Sequence, residues 1–164
     1  MKISEINEEA KYYLNILTAQ ISSPFDIDVT KHKKAIRDIM DNFEGHLHKV
    51  YNSKGNYDHG TLKYDAPHIS EKAAILKETL TKNEFLKVSH REHAKPLSII
   101  VDECKGLSGQ RLLTYLYNNL KSVTILKEEA TLLDSSYKTT MPDVDKVFSR
   151  FDYYEVKIIK QKIK

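Results

Sequence analysis

The residues between positions 89 and 129 contain side chains that could carry out metal-assisted acid–base chemistry. They comprise Glu92-His93-Ala94-Lys95-Pro96, Asn118-Asn119-Leu120 and Lys127-Glu128-Glu129. A histidine is half-titrated close to neutral pH and can therefore take up or release a proton there. Carboxylates supply the oxygen ligands that hard divalent cations prefer. No other stretch of the sequence collects such groups in a recognisable order, so this stretch contains the candidate site.

The order of these residues resembles the motif of HNH-type (ββα-metal) nucleases. In that family an acidic residue and a histidine precede a proline with two residues between them, as Glu92-His93 precede Pro96 here. The family's central asparagine is followed by leucine and an apolar, β-like run, which is similar to Asn119-Leu120 and the residues after it. The resemblance covers roughly a quarter of the chain.

The resemblance implies hydrolysis of a phosphodiester bond in DNA or RNA, assisted by Mg²⁺ or Mn²⁺. Such a reaction needs a poised base, a metal ion that neutralises phosphate charge, and correct alignment. In this interpretation His93 activates the attacking water, and Asn119 orients its imidazole through the side-chain carbonyl. Glu92 and Glu128 are the expected metal ligands.

Further residues complete this hypothesis or compete within it. Lys95 or Lys127 would contact a neighbouring phosphate, while Asn118 is an alternative to Asn119 and Glu129 an alternative to Glu128. The sequence departs from the family's pattern because Glu128 stands where the last histidine is common. The gap between the histidine and the asparagine is also longer than the usual hairpin and has helical periodicity.

Each candidate also has an ordinary structural explanation. His93 can hydrogen-bond in a loop before Pro96, and Asn119 can end a helix because asparagine tolerates left-handed backbone angles. Glu128 and Glu129 can begin a helix, where acidic side chains interact favourably with the helix dipole.

A wider set of residues is similar to a group of bacterial and phage proteins with no assigned activity. The shared features are Glu92-His93 with Pro96-Leu97, the run from Ile125 to Glu129, Met141-Pro142 and Arg150. This similarity implies no particular reaction.

Length and composition indicate one domain from a reducing compartment. The 164 residues suffice for one core. Lys and Arg number 26 against 23 Asp and Glu, a mild excess that permits nucleic-acid binding without arguing for it. Cys104 is the only cysteine, which excludes an internal disulfide and a cysteine zinc knuckle. Because no apolar segment resembles a signal or a membrane span, we expect a cytoplasmic protein without membrane association.

The periodicity predicts an α+β fold, mostly helical, in one domain with a small two- or three-stranded sheet. Apolar residues at helical spacing mark two early helices. They are Ile6, Ala10, Tyr13, Leu14, Leu17 and Ile21, and then Ile36, Ile39, Met40, Phe43, Leu47 and Val50. Residues 1–83 should form a helical part and residues 84–164 the HNH-like α+β part. The predicted strands are Phe85–Val88, Ser122–Leu126 and Tyr154–Ile158.

The alternative function comes from a different class of protein. A non-enzymatic binding protein, such as a phage or mobile-element inhibitor, would occupy a protein or nucleic-acid surface. The structure can separate the two hypotheses, because the nuclease requires Glu92, His93, Asn119 and Glu128 to converge around one cleft.

Overall fold

Four short β-strands form a sheet against which most of the helices pack. A computed structural model describes residues 1–21, 29–49 and 59–161. In chain order the described elements are a 3₁₀ helix Ile3–Glu5, α1 Glu8–Ile21, α2 Val29–Leu47, α3 His59–Tyr64, β1 His68–Ser70, α4 Glu71–Thr79, α5 Lys82–Val88, β2 Ser89–His93, α6 Leu97–Cys104, α7 Gly109–Asn119, β3 Ser122–Leu126, α8 Lys127–Ser136, α9 Ser149–Tyr153 and β4 Ile158–Lys160. The fold is therefore a mostly helical α+β domain, as predicted. None of the described helices combines the length and apolar character needed to cross a membrane.

The sheet has the strand order β2-β3-β1-β4. Strand β3 is antiparallel to β2 and parallel to β1, and β1 is antiparallel to β4. The register pairs Ser89 with Leu126 and His93 with Ser122. Among the described strands β2 lies at the edge, so one side of its backbone faces away from the sheet.

The apolar stripes predicted for the first two helices form the helical core. Ala10, Leu14 and Leu17 of α1 are buried together with Met40 and Phe43 of α2. Helices α6 and α7 contribute the remaining residues of this core. A separate cluster of buried apolar residues on β3 packs under α8 and α9. Val50, which closes the second predicted stripe, lies outside the described residues.

Helix α2 also carries carboxylates that point into the protein. Asp41 and Glu44 are both fully buried although they are charged residues. Buried carboxylates require hydrogen-bonding or ionic partners to offset the loss of water. These partners come from β2 and β3, so α2 joins the helical core to the sheet.

Two of the three predicted strands were placed wrongly. Phe85–Val88 belongs to helix α5, because Thr81 and Glu84 form a capping box that begins a helix at Lys82. The strand follows immediately, at Ser89. Near the C-terminal end of the described residues, a turn in which Glu155 has a φ of 55° occupies most of the predicted Tyr154–Ile158 strand. The strand therefore begins only at Ile158 and runs to Lys160. Ser122–Leu126 is confirmed.

Strand β1 adds a fourth strand that the sequence did not predict. Its three residues are too few to show an alternating pattern. It lies between residues 1 and 83, so the predicted helical part contributes to the sheet. Ser70 ends this strand and caps α4 by accepting a hydrogen bond from the Ala73 amide at 3.2 Å. The helix ends at Thr79.

Replacing Ser70 with alanine is expected to lower the free energy of unfolding by about 2 kcal/mol. The variant loses the helix cap and the hydrogen bond of 2.6 Å that Ser70 donates to the buried Glu129 carboxylate. Urea unfolding measures this loss. Ser4→Ala, at an exposed position, is the matched control and should change the free energy by less than about 0.5 kcal/mol. Equal effects of the two substitutions would contradict the prediction.

Candidate functional site

Asp41 of α2 and Arg91 of β2 form a two-point ion pair. Arg91 Nη1 donates to Asp41 Oδ1 at 2.7 Å, and Nη2 donates to the second carboxylate oxygen. Asp41 is fully buried, while the Arg91 side chain is 10% exposed. Such parallel hydrogen bonds are the strongest arrangement of an arginine and a carboxylate, and they fix both side chains in orientation.

His93 meets the same carboxylate from the end of β2. Its Nε2 lies 3.2 Å from Asp41 Oδ1. His93 and Arg91 are two residues apart on a strand, so their side chains leave the same face of the sheet. Because Nε2 faces Asp41, Nδ1 is the ring nitrogen that could exchange a proton with a bound molecule. The two groups are in close contact, but Nε2 has no hydrogen-bond partner among the described residues.

Glu44, one turn further along α2, binds the first residue of β3. The Ser122 amide donates to Glu44 Oε1 at 2.6 Å, and the Ser122 hydroxyl donates to Oε2 at 2.5 Å. The same hydroxyl accepts a hydrogen bond from Arg91 Nη1 at 3.2 Å. Asp41, Glu44, Arg91, His93 and Ser122 thus form one buried network, called the α2–β2 network below.

The two carboxylates of this network have opposite pKa shifts. Burial by itself would raise the pKa of Asp41, but its contacts with His93 and Arg91, together with their charges, lower it to about 2. Burial raises the pKa of Glu44, and its hydrogen bonds with Ser122 only partly offset this. Asp41 is therefore the permanent negative charge of the network, whereas ionised Glu44 opposes folding.

Glu92 leaves the other face of β2 and contacts Arg150 and His90. Its Oε1 accepts a hydrogen bond from Arg150 Nη1 at 3.1 Å, and its Oε2 lies 3.5 Å from His90 Nε2. Burial would raise the pKa of Glu92, but the hydrogen bond with His90 and the charge of Arg150 lower it overall. Arg150 also donates to the His93 carbonyl at 3.3 Å.

A cleft of about 580 Å³ lies along the outer edge of β2. Its walls come from α2, from the start of α6 and from the end of α8. The titratable and charged groups that line it include His90, His93, Arg37, Arg91, Lys138 and Glu92. The cleft is therefore lined by two imidazoles, by three cationic side chains and by the carboxylates of Glu92 and Asp134.

The structure places Glu92 and His93 in this cleft but leaves Asn119 and Glu128 out of it. Asn119 Nδ2 donates to the Tyr115 carbonyl of its own helix at 2.9 Å, whereas the partner of His93 is Asp41. Glu128 is exposed on the first turn of α8, after the end of β3 that pairs with Ser89. Ser89 and His93 are four residues apart along β2, so the start of α8 lies about 13 Å from His93 along the strand direction. The four residues of the HNH-like arrangement do not converge.

The two lysines predicted to bind substrate also lie outside the cleft. Lys95 is 3% exposed, and its Nζ lies 2.5 Å from Glu103 Oε2, so it forms an internal ion pair. Lys127 is exposed at the start of α8. The neighbouring Glu129 is buried and accepts a hydrogen bond from the Leu126 amide at 2.8 Å. Its role is to begin α8, which was the structural explanation considered for the acidic pair.

The described donor groups do not fit a Mg²⁺ or Mn²⁺ site. Within residues 1–21, 29–49 and 59–161, no three His, Cys, Asp or Glu side chains are grouped so that they could hold a metal ion. The two oxygens of Glu92 face Arg150 and His90, and both oxygens of Asp41 are engaged by Arg91. A hard divalent cation needs several free oxygen ligands. No reaction step below passes through a metal ion.

Sequence reasoning missed Asp41, Glu44 and His90. The two carboxylates are three residues apart on a helix, which places them on one face and was a detectable signal. Their partners were not detectable, because they lie about 50 to 80 residues further along the chain. Comparisons with known proteins add no further residues, since the chain matches no family model, no curated protein and no solved structure.

Replacing Asp41 with asparagine is expected to lower the free energy of unfolding by about 3 kcal/mol at neutral pH, because Arg91 then lacks its buried carboxylate. A lowered pKa in the folded state stabilises the fold above the unfolded-state pKa and ceases to do so as the pH falls through the folded-state value. The difference from wild type should therefore shrink between pH 3.8 and about 2. Urea unfolding across this range measures it, and a pH-independent difference would argue against the assigned ion pair.

Glu44→Gln should have the opposite effect. A raised pKa means that the folded state holds the proton more tightly, so ionisation of Glu44 lowers stability as the pH rises above the unfolded-state value of 4.5. Glutamine keeps an acceptor for the Ser122 amide without the charge. The variant should gain thermal stability relative to wild type as the pH rises from 4.5 through neutrality. A melting-temperature difference that stays constant or reverses over this range would refute the predicted shift.

Proposed function

We propose that the cleft at the edge of β2 binds nucleic acid and cleaves its phosphodiester bonds, with His93 as the general base and Asp41 as the residue that orients it. The observation that supports this most directly is the contact of 3.2 Å between His93 Nε2 and Asp41 Oδ1 at the wall of a cleft. A base held by a buried carboxylate presents its second ring nitrogen in a defined direction.

Cationic side chains in the cleft support a phosphate-containing substrate. Arg37 and Lys138 are exposed, whereas Arg91 also lines the cleft but is largely buried in its pair with Asp41. Lys138 pairs with Asp134 at 3.3 Å, but 68% of its side chain stays accessible. Clustered cations of this kind attract the phosphate backbone of a nucleic acid irrespective of its base sequence.

RNA is the substrate class that this set of groups fits best. Nδ1 of His93 takes the proton of a 2′-hydroxyl, and the 2′ oxygen attacks the adjacent phosphorus. The bond between phosphorus and the 5′ oxygen breaks, and protonated His90 gives its proton to that leaving oxygen. The products are a 2′,3′-cyclic phosphate and a 5′-hydroxyl. Because RNA supplies its own nucleophile, the step needs no metal-activated water.

A metal-dependent nuclease of HNH type stays a separate prediction. It requires Asn119, Glu128 and a divalent cation to act on the same phosphate as His93. The geometry described above supports the histidine and Asp41 instead. The two mechanisms differ in their dependence on Mn²⁺ and in the variants that inactivate them.

A non-enzymatic binding protein is the second candidate function. Strand β2 pairs only with β3 among the described strands, so the other side of its backbone is open to an added strand. Extended peptides bind to such edges through main-chain hydrogen bonds. In that case the α2–β2 network would serve only to fix the edge strand in place.

Activity is tested with labelled RNA and DNA oligonucleotides of the same sequence, each in EDTA and in Mn²⁺. We expect cleavage of RNA in EDTA and a loss of at least about 100-fold in His93→Ala. Asp41→Asn should lower the rate and alter its pH profile, because the imidazole loses its orienting partner. Asn119→Ala and Glu128→Gln report on the HNH-type mechanism.

Three results would decide against the proposal. Cleavage that survives His93→Ala removes the assigned base. Cleavage that requires Mn²⁺ and is lost in Asn119→Ala and Glu128→Gln supports the HNH-type mechanism. Absence of cleavage under every condition supports the binding protein.

A further inference from the structure

Arg150 is a fully buried arginine whose guanidinium is only partly used. It is 0% exposed and is the largest fully buried side chain among the described residues. Nη1 contacts Glu92 Oε1 at 3.1 Å and the His93 carbonyl at 3.3 Å. Within the described part of the chain, Nε and Nη2 are buried without a hydrogen-bond partner. An arginine stays charged at all relevant pH values, so unused buried donors of this kind call for an explanation.

Arg91 of β2 shows what a saturated arginine–carboxylate pair looks like in this protein. Arg91 uses both terminal nitrogens on both oxygens of Asp41. Arg150 instead offers one nitrogen to one oxygen of Glu92. A guanidinium is planar and binds a carboxylate or a phosphate best through two parallel hydrogen bonds. The Arg150–Glu92 pair leaves that capacity open.

Glu92 is held loosely and lies between Arg150 and the cleft. Its side chain is 21% exposed and lines the cleft. Its contacts are the single hydrogen bond from Arg150 and a longer contact of 3.5 Å with His90. Arg150 itself does not line the cleft, so Glu92 must rotate before Nη1 can contact a ligand there.

We infer that Arg150 is a binding site for a phosphate group and that the Glu92 carboxylate occupies the guanidinium until a phosphate replaces it. Two phosphate oxygens then accept hydrogen bonds from Arg150, while Glu92 turns towards His90. The inference rests on the proposed function for the origin of the phosphate, which is the backbone of the bound nucleic acid. The site places that phosphate next to the His93 main chain, to which Arg150 also donates.

The test measures how much inorganic phosphate raises the melting temperature at constant ionic strength, with chloride as the balancing anion. Glu92→Gln removes the competing charge and should bind phosphate about tenfold more tightly than wild type. Glu128→Gln, which removes one exposed charge elsewhere, controls for the change in net charge and should match wild type. Arg150→Lys should lose the phosphate-dependent rise, whereas the exposed Arg111→Lys should keep it.

Equal phosphate responses in Glu92→Gln and Glu128→Gln would overturn the inference, and so would an undiminished response in Arg150→Lys. If Arg150→Lys does not fold, the comparison of the two glutamine variants still decides the question. Oligonucleotides with and without a 5′-phosphate separate the two sources of the anion. A response to both supports a backbone diester, whereas a response limited to the 5′-phosphorylated strand and inorganic phosphate contradicts it. Phosphate binding without RNA cleavage would refute the proposed reaction while leaving the site at Arg150 intact.

Discussion

The ion pair between Asp41 and Arg91 is the interaction on which the rest of this structure depends. Helix α2 buries Met40 and Phe43 in the helical core, and the same helix turns Asp41 towards the sheet. Removing two charges from water is costly unless their hydrogen bonds are well aligned. Two parallel hydrogen bonds fix the orientation of both side chains and so tie α2 to β2, the strand that borders the cleft.

The geometry of the candidate site follows from the Asp41–Arg91 pair. His93 lies beside Asp41 because strand alternation puts it on the same face as Arg91, two residues earlier. Glu92, between them, must leave the opposite face, where it meets Arg150. One strand thus carries two ion pairs of different quality. The Asp41–Arg91 pair on the α2 face is bidentate and almost fully buried. The Glu92–Arg150 pair on the other face has a single hydrogen bond and borders the cleft. We attribute structural support to the first and ligand exchange to the second.

Prediction succeeded where the signal was local or periodic. The stripes of α1 and α2 and the strand Ser122–Leu126 follow from residue spacing. The assignment of Phe85–Val88 to a strand failed because the capping box of Thr81 and Glu84, itself a local signal, outweighs the β-forming residues that follow it. Asn119 and Glu128 occupy positions typical of a motif, but a helix and a strand separate their side chains from His93.

The sequence by itself determined the mostly helical α+β class, the main helical core and the presence of a titratable pair at Glu92 and His93. These features depend on the order of neighbouring residues, which can be read directly from the sequence. Only the tertiary structure decided which carboxylate meets which cation. Asp41 and Arg91 are separated by 50 residues, and Glu92 and Arg150 by 58. Contacts between such distant residues are set by the packing of α2 and α9 on the sheet, because a charged side chain can pair with any opposite charge that the fold brings within reach.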